Sequence, residues 1–195
     1  MNSLLRQNIE SKIQKKFSET EFKKLEQLFV KKSVQKKELL VREGQQCNHI
    51  WFVNSGALYS YILNDEAETT VIQFALEGWW ISDLYSFYSG RKAVYNIEAL
   101  EDSELLQLSK PHFESACDQF PSIDRFFRIL IQNAYVSLQY RLAKTNSEDA
   151  LHRYEEFSKL HPDFPQRIPQ YLIASYLGIK PQSLSRIRKE MAKRK

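Results

Sequence analysis

The side chains best suited to binding another molecule lie near the end of the chain, between Pro181 and Glu190. If this segment is a helix, Leu184 and Ile187 fall on one face. The other positions carry amides, hydroxyls and cations, with no acid before Glu190: Gln182, Ser183, Ser185, Arg186 and Lys189. Donors of this kind, without a nucleophile or an acid–base pair, suit the recognition of a polyanion better than catalysis.

The charge distribution supports a polyanionic partner. The 195 residues carry a formal net charge of +4, yet residues 1–140 hold 16 Lys and Arg against 18 Asp and Glu, a net of −2. Residues 141–195 hold 12 cations against 6 acids, a net of +6, and seven of those cations lie in the last 16 residues. A basic end on an otherwise acidic chain favours nucleic acid as the partner, although a solvated basic tail would carry the same charge.

The cysteines and histidines do not form a metal-binding pattern. Cys47 and Cys117 are far apart and belong to no C-x-x-C, which predicts free thiols in a reducing compartment. The four histidines show no H-x-H or H-E-x-x-H spacing: His49, His112, His152 and His161. We therefore expect no metal and no cofactor. No nucleophile elbow is present either, so the chain is not expected to be an enzyme.

Nothing in the sequence predicts a membrane protein. No run of about 18 apolar residues is present, so no transmembrane helix is expected. The N-terminus lacks the apolar region and the small-residue cleavage site of a secretory signal. A cytoplasmic location without a membrane partner is expected.

Residues 168–193 have the spacing of two helices joined by a tight turn. Pro169 suits the first turn of a helix, and the small side chain of Ala174 lets a second helix cross closely. Four residues later, Gly178 can supply the positive φ that such a turn needs. Pro181 begins the second helix. This is the pattern of a helix-turn-helix, whose second helix enters the major groove of DNA with its N-terminal residues at the bases.

Residues 34–110 have the pattern of an antiparallel β domain. Short apolar or alternating runs recur at spacings of roughly 8–12 residues, with turn residues between them. The predicted strands are Glu38–Arg42, His49–Val53, Ala57–Leu63, Thr69–Leu76, Tyr95–Leu100 and Glu104–Ser109. Residues 3–32 predict two short helices, and residues 85–90 predict another. The predicted fold class is α+β, with N-terminal helices, an antiparallel β-roll of the jelly-roll type, a long helix and a C-terminal helix-turn-helix domain.

Residues 122–146 contain no Gly or Pro and predict a single helix of ~37 Å. Its apolar stripe is widened by Phe126, Ile129 and Ile131, so that one side can face the β domain and another can face a second chain. A helix packed only within its own chain is the alternative. The residues expected to form the dimer are Ile123, Phe127, Leu130, Ala134 and Leu138.

The order of a β-rich domain, a long helix and a C-terminal helix-turn-helix resembles the Crp–Fnr family of bacterial transcription regulators. Residues 173–187 resemble the recognition segment of that family, and residues 96–105 resemble the last strands of its cyclic-nucleotide-binding-type β-roll. The resemblance implies a sensor domain at 1–120, a dimerisation helix at 121–146 and a DNA-binding domain at 147–195. It also implies a homodimer on a two-fold symmetric DNA site, with RNA polymerase as a further partner.

The resemblance assigns roles to the second helix of the motif. Gln182 and Arg186 are expected to contact bases, because glutamine matches adenine and arginine matches guanine in the major groove. The side chains expected to contact the phosphate backbone are Lys180, Ser183, Ser185, Arg188 and Lys189. Lys180 stands where Ser or Thr would normally cap this helix. The strand pair that often follows in the family is expected to be absent or minimal, with a short strand at residues 165–169 instead.

The sensor domain departs from the family in its phosphate-binding segment. Asp83 stands where a glutamate would bind ribose, and Ala93 and Val94 stand where an arginine and a hydroxyl residue would bind the cyclic phosphate. Cyclic AMP is therefore not the expected effector, because its phosphate would lack a charge-assisted partner. The candidate effector pocket is filled by its own aromatic side chains or open to an apolar or aromatic ligand, and its residues are Trp80, Asp83, Tyr85, Arg91, Lys92 and Tyr95. Neither the cysteine cluster of oxygen-sensing relatives nor a haem-histidine pattern is present, so the effector stays unknown.

Two other functions fit parts of the sequence. The β domain could sense a ligand and regulate a partner protein without binding DNA, although residues 168–195 argue against this function. An enzyme on a cupin-like barrel would need clustered histidines and carboxylates, whereas His49 and His112 are isolated.

Overall fold

A computed structural model describes residues 3–66 and 68–193, apart from the side chain of Asn146. The chain divides into two units. The first unit consists of the residues up to Ile62 together with Gln73–Asn133, and the second consists of Leu63–Ile72 together with the residues from Ala134 onward. Among the described residues, no helix has the length and apolar character needed to cross a membrane.

The elements confirm the predicted α+β class. Two helices, α1 (Ser3–Ile13) and α2 (Glu19–Glu26), precede the strands β1 (Val30–Val34), β2 (Leu39–Val41), β3 (His49–Ser55), β4 (Leu58–Leu63), β5 (Thr69–Ala75) and β6 (Trp80–Ile81). Next come α3 (Leu84–Ser89), β7 (Asn96–Ala99) and β8 (Ser103–Ser109). The remaining helices are α4 (Lys110–Gln119), α5 (Pro121–Ser147), α6 (Ala150–Leu160), α7 (Phe164–Arg167), α8 (Gln170–Leu177) and α9 (Pro181–Lys193).

The strands form two four-stranded sheets, in the orders β1-β8-β3-β6 and β2-β7-β4-β5. The first sheet is buried on both faces, and alternate residues of β3 show this. Ile50 and Phe52 pack with the helices in one core, whereas Trp51 and Val53 pack in a second core with residues of the other sheet. Burial on both faces explains why β3 is an unbroken apolar run rather than an alternating one.

Two strands were not predicted from the sequence. The first is β1 (Val30–Val34), which begins within the range of the predicted N-terminal helices and pairs with β8 at the edge of its sheet. Lys31 and Lys32 interrupt the apolar pattern by which a strand is predicted. Charged residues are common on edge strands because they discourage pairing with other chains. The second is the two-residue strand β6.

The strand expected at residues 165–169 is a wrong prediction. Phe164–Arg167 is a short helix with Pro165 in its first turn, and Phe164 is buried. Proline is compatible with the first turn of a helix because that position needs no N–H donor.

The start of α5 is anchored in the helix-facing core. Phe126 is fully buried, and its ring centroid lies 5.5 Å from that of Trp80 and 5.2 Å from that of Phe127. Phe127 in turn packs edge-on against Phe113 of α4 at 4.8 Å. This aromatic cluster fixes the first turns of α5 within the first unit.

Replacing Phe126 with alanine should lower the free energy of unfolding by about 3–5 kcal/mol, because it opens a cavity in this cluster. The measurement is urea unfolding followed by far-UV circular dichroism. Arg125→Ala is the matched control, since Arg125 is the exposed neighbour on the same helix. A loss below about 1 kcal/mol for Phe126→Ala would contradict the assigned core.

Candidate nucleic-acid interface

The turn between α8 and α9 depends on Gly178. This residue has φ 63° and ψ 38°, in the left-handed region. Its N–H donates to the carbonyl oxygen of Ser175 at 3.1 Å, and the N–H of Ile179 donates to that of Ala174 at 2.8 Å. These bonds end α8 and direct the chain sharply into α9, as a glycine C-cap does.

Apolar side chains hold the two helices together. Ala174 is completely buried, so that a larger side chain there would force the helices apart. Tyr154 and Phe157 of α6 are buried in the same unit. The buried residues of α8, the turn and α9 are Leu172, Ile173, Ala174, Leu177, Ile179, Leu184 and Ile187.

Arg153 of α6 also holds the turn. Its Nη2 donates to the carbonyl oxygen of Gly178 at 3.3 Å, and its Nη1 donates to that of Thr145 at 3.3 Å and to that of Glu148. One guanidinium thus joins the end of α5 to the turn before α9. Sequence reasoning missed Arg153, because nothing in its local spacing marks a partner 25 residues away.

The outer face of α9 is exposed as expected for a DNA-binding helix. Burial of Leu184 and Ile187 leaves the opposite side of the helix open to solvent. Five of the seven residues assigned to DNA contacts are exposed: Lys180, Gln182, Ser185, Arg186 and Lys189. Within residues 3–66 and 68–193, no ion pair involves Lys180, Arg186 or Lys189. Their charges are available to an external anion.

Two of the seven residues sit differently. Ser183 and Arg188 are half-buried. The Nη1 atom of Arg188 is buried, with no hydrogen-bond partner in the described part of the chain. Part of this guanidinium therefore faces the protein, which makes Arg188 a weaker candidate for a phosphate contact than Lys189.

The residues of the candidate effector pocket differ in their surroundings, and the first of them, Trp80, is buried. Trp80 is 7% exposed, and its ring centroid lies 5.1 Å from that of Phe52 and 5.2 Å from that of Phe127. Its indole N–H donates to Asn8 Oδ1 at 3.0 Å. Trp80 therefore belongs to the core, and its place in the pocket is corrected, since a packed indole in this cluster cannot line an open cavity.

Asp83 is fully buried, and its carboxylate binds the protein's own backbone. Oδ1 accepts the N–H of Ser86 at 2.8 Å, as the N-cap of α3. Oδ2 accepts the N–H of Val94 at 2.8 Å and that of Tyr95 at 2.9 Å. The carboxylate thus joins the start of α3 to the residues just before β7. It stabilises the fold of this segment, whereas the sequence predicted a contact with a ligand.

The other pocket residues lie mostly at the surface. Tyr85 is 45% exposed, and its hydroxyl accepts a 3.3 Å hydrogen bond from Arg91, which is exposed. Lys92 is also exposed, and Tyr95 is half-buried. Two cavities of ≈ 500 Å³ and ≈ 700 Å³ open elsewhere on this unit, and none of the six residues lines either of them.

The groups able to bind metal or act as nucleophiles are dispersed. No cluster of three or more His, Cys, Asp or Glu that could hold a metal ion occurs in residues 3–66 and 68–193. Both cysteines are free thiols. Burial raises the pKa of Cys117 to about 11, with a further contribution from Asp124 and Asp118, so that this thiol stays protonated at neutral pH.

The chain is similar to a known domain family and to several known regulatory proteins. Residues 31–120 match the cyclic nucleotide-binding domain family. The chain is 26% identical over 170 residues to the regulatory protein HlyX of Actinobacillus pleuropneumoniae, which covers 80% of this chain and 69% of the relative. It is 24% identical over 174 residues to the anaerobic regulatory protein of Pasteurella multocida, again over 80% of this chain but only 61% of the relative. The chain thus spans less than two thirds of the length of some of these relatives.

Solved structures show the same fold. FixK2 from Bradyrhizobium japonicum superposes with a TM-score of 0.74 at 18% identity, covering 85% of each chain. A CooA mutant from Carboxydothermus hydrogenoformans gives a TM-score of 0.68 at 20% identity, covering 87% of this chain and 79% of the other. The protein is thus a cyclic-nucleotide-binding-type β domain joined to a helix-turn-helix domain. With the relatives named above, this combination is similar to that of the Crp–Fnr family of regulators.

Replacing Asp83 with alanine should lower the free energy of unfolding by about 3 kcal/mol, because the backbone N–H groups of Ser86, Val94 and Tyr95 lose their acceptor. Asp83→Asn should cost less, since its amide keeps one acceptor oxygen. Urea unfolding measures both variants, with Asp118→Ala as the control at an exposed carboxylate. If Asp83→Ala and Asp118→Ala unfolded at the same urea concentration, the backbone role of Asp83 would be excluded.

Proposed function

We propose that this chain is a DNA-binding transcription regulator of the Crp–Fnr type, which binds a two-fold symmetric site as a homodimer. The observation that carries the proposal is the exposed cationic face of α9, whose opposite face packs on α8. A helix supported in this way can lie in the major groove with its first turns at the bases.

The positions of the side chains in and next to α9 indicate which of them contact bases and which contact phosphates. Gln182 and Arg186 are four residues apart near the start of α9 and point to the same side of the helix. They are the proposed base contacts, because both can form bidentate hydrogen bonds with a purine. Lys180 and Lys189 flank them and are the proposed phosphate contacts, which add affinity without sequence preference.

The proposal predicts different outcomes for two cations of α9. Arg186→Ala should weaken binding to the selected site by about 1–3 kcal/mol and relax specificity at one base position. Lys189→Ala should weaken binding to all sequences by a similar factor and reduce the salt dependence by about one unit of slope. Each variant serves as the control for the other.

The measurement is selection of bound DNA from a random pool, followed by titration of the selected site at several salt concentrations. Palindromic selected sites would support the two-fold symmetric complex. An unchanged selection profile for Arg186→Ala would remove its base-reading role. A gel shift with random DNA tests the alternative function, a ligand-sensing module that regulates a partner protein without binding DNA.

The second half of α5 supports the homodimer. Every residue from Gln132 to Tyr140 is exposed, although Tyr135 and Val136 are large apolar side chains, 61% and 64% exposed. Exposed apolar side chains on one long helix favour burial against another chain. Leu138 and Leu142 continue the pattern, at 41% and 52% exposed.

The proposed seam lies further along α5 than the one expected and shares only Leu138 with it. Ile123 and Phe127 are 1% and 4% exposed in the core of their own chain, so these two residues are corrected from dimer contacts to core residues. Leu130 is half-buried against the same core, and Ala134 is exposed. Apolar residues at steps of four, three and four form the seam proposed instead, as in a coiled coil: Ile131, Tyr135, Leu138 and Leu142.

Sedimentation equilibrium should give twice the 23.1 kDa chain mass for the wild type at micromolar concentration. Leu138→Glu should give a monomer, because the seam would then bury an unpaired charge. Asn133→Glu adds the same charge outside the seam and should remain a dimer. A wild-type monomer, or a dimer that persists in Leu138→Glu, would exclude this interface.

The remaining expectations belong to the same proposal. The relatives compared above are regulators, which supports the absence of an enzymatic activity. A cytoplasmic location is proposed because the DNA of a bacterial cell lies there. Contact with RNA polymerase is proposed as the means by which bound regulator would alter transcription, without an assigned surface.

A further inference from the structure

A single hydroxyl on α8 binds two backbone groups of strand β5. Ser175 Oγ donates to the carbonyl oxygen of Thr69 at 2.7 Å and accepts the N–H of Val71 at 2.9 Å. Both strand residues belong to the unit that contains the helix-turn-helix. Residues more than 100 positions apart in the sequence are thereby joined by two hydrogen bonds.

Arg141 of α5 adds a third bond to the same strand. Its Nη2 donates to the carbonyl oxygen of Ile72 at 3.0 Å, and its Nη1 donates to that of Tyr176 at 3.3 Å. The guanidinium carbon also lies 4.4 Å from the centroid of the Tyr176 ring, in cation–π geometry. Arg141 therefore connects the long helix, the strand and the last turn of α8.

The position of β5 explains why side chains make these bonds. It lies at the edge of its sheet, where backbone groups lack a neighbouring strand. Buried or half-buried backbone groups must find another partner, and here Ser175 and Arg141 supply it. Water can replace such bonds at a modest net cost, so each bond contributes little to overall stability.

The attachment acts on the helix that supports α9. Ser175 adjoins the fully buried Ala174, and the carbonyl oxygen of Ser175 accepts the N–H of Gly178 at 3.1 Å. A shift of Ser175 would therefore move the turn and the start of α9. In the attached arrangement, Gln182 and Arg186 are exposed, as DNA binding requires.

We infer that Ser175 and Arg141 are positioning residues, which attach residues 69–72 of β5 to the helix-turn-helix and hold α9 in the arrangement that binds DNA. This inference rests on the proposed function. It makes the strand segment part of the DNA-binding unit. A movement of this segment would then be passed through α8 to α9.

The test compares DNA affinities at a temperature where circular dichroism shows every variant to be folded. Ser175→Ala should bind the selected DNA site about fivefold to tenfold more weakly than the wild type, within the usual range of coupling between sites. Ser175→Thr keeps the hydroxyl and should restore most of the affinity. Ser158→Ala is the matched control, because the Ser158 hydroxyl is buried in the same unit and has no hydrogen-bond partner in the described part of the chain.

Hydrogen exchange at the Val71 amide supplies a readout that general destabilisation would not reproduce. This amide should lose protection in Ser175→Ala while the amides of α8 keep theirs. Adding DNA to the wild type should increase its protection, because coupling between two equilibria is reciprocal.

The outcomes separate the two claims. A wild type that binds no DNA overturns the proposed function and this role with it. A wild type that binds DNA, while Ser175→Ala binds within twofold of it, overturns only the positioning role. Equal losses in Ser175→Ala and Ser158→Ala, or no recovery in Ser175→Thr, would also overturn that role.

Discussion

The close crossing of α8 and α9 is the constraint on which the proposed DNA recognition depends. Ala174 leaves room for the second helix, and Gly178 adopts the left-handed conformation that turns the chain between them. With Leu184 and Ile187 buried in this crossing, the cations of α9 have only the solvent side available. Exposure of the cationic face is therefore a consequence of packing. Arg153 reinforces this packing by donating a hydrogen bond to the carbonyl oxygen of Gly178.

The β domain keeps the fold of a ligand sensor but uses key polar and aromatic groups for its own structure. The Asp83 carboxylate accepts three backbone N–H groups, and the Trp80 indole is packed between aromatic rings. Both features favour a conformation of the segment around Asp83 that needs no bound cyclic nucleotide. This agrees with the absence of an arginine at Ala93 or Val94, where the family resemblance would require one.

The long helix combines two environments that its sequence does not distinguish. Phe126 and Phe127 lie in a core, whereas the residues from Gln132 to Tyr140 are exposed on every side of the helix. Apolar residues thus serve folding in the first half of this helix and are proposed to serve association in the second half. Arg141, just beyond the exposed stretch, contacts both β5 and α8, so the end proposed to join two chains also reaches the DNA-binding unit.

The sequence by itself determined the features that depend on neighbouring residues. The turn at Gly178, the apolar strand at Ile50–Val53 and the length of α5 follow from local backbone preference and periodicity, so each was predicted. Only the tertiary structure decided the partners of Asp83, the burial of Trp80 and Ile123, and the bonds of Ser175 to β5. These depend on segments brought together from as far as 106 residues apart, and local periodicity carries no information about which distant element will cover a given face.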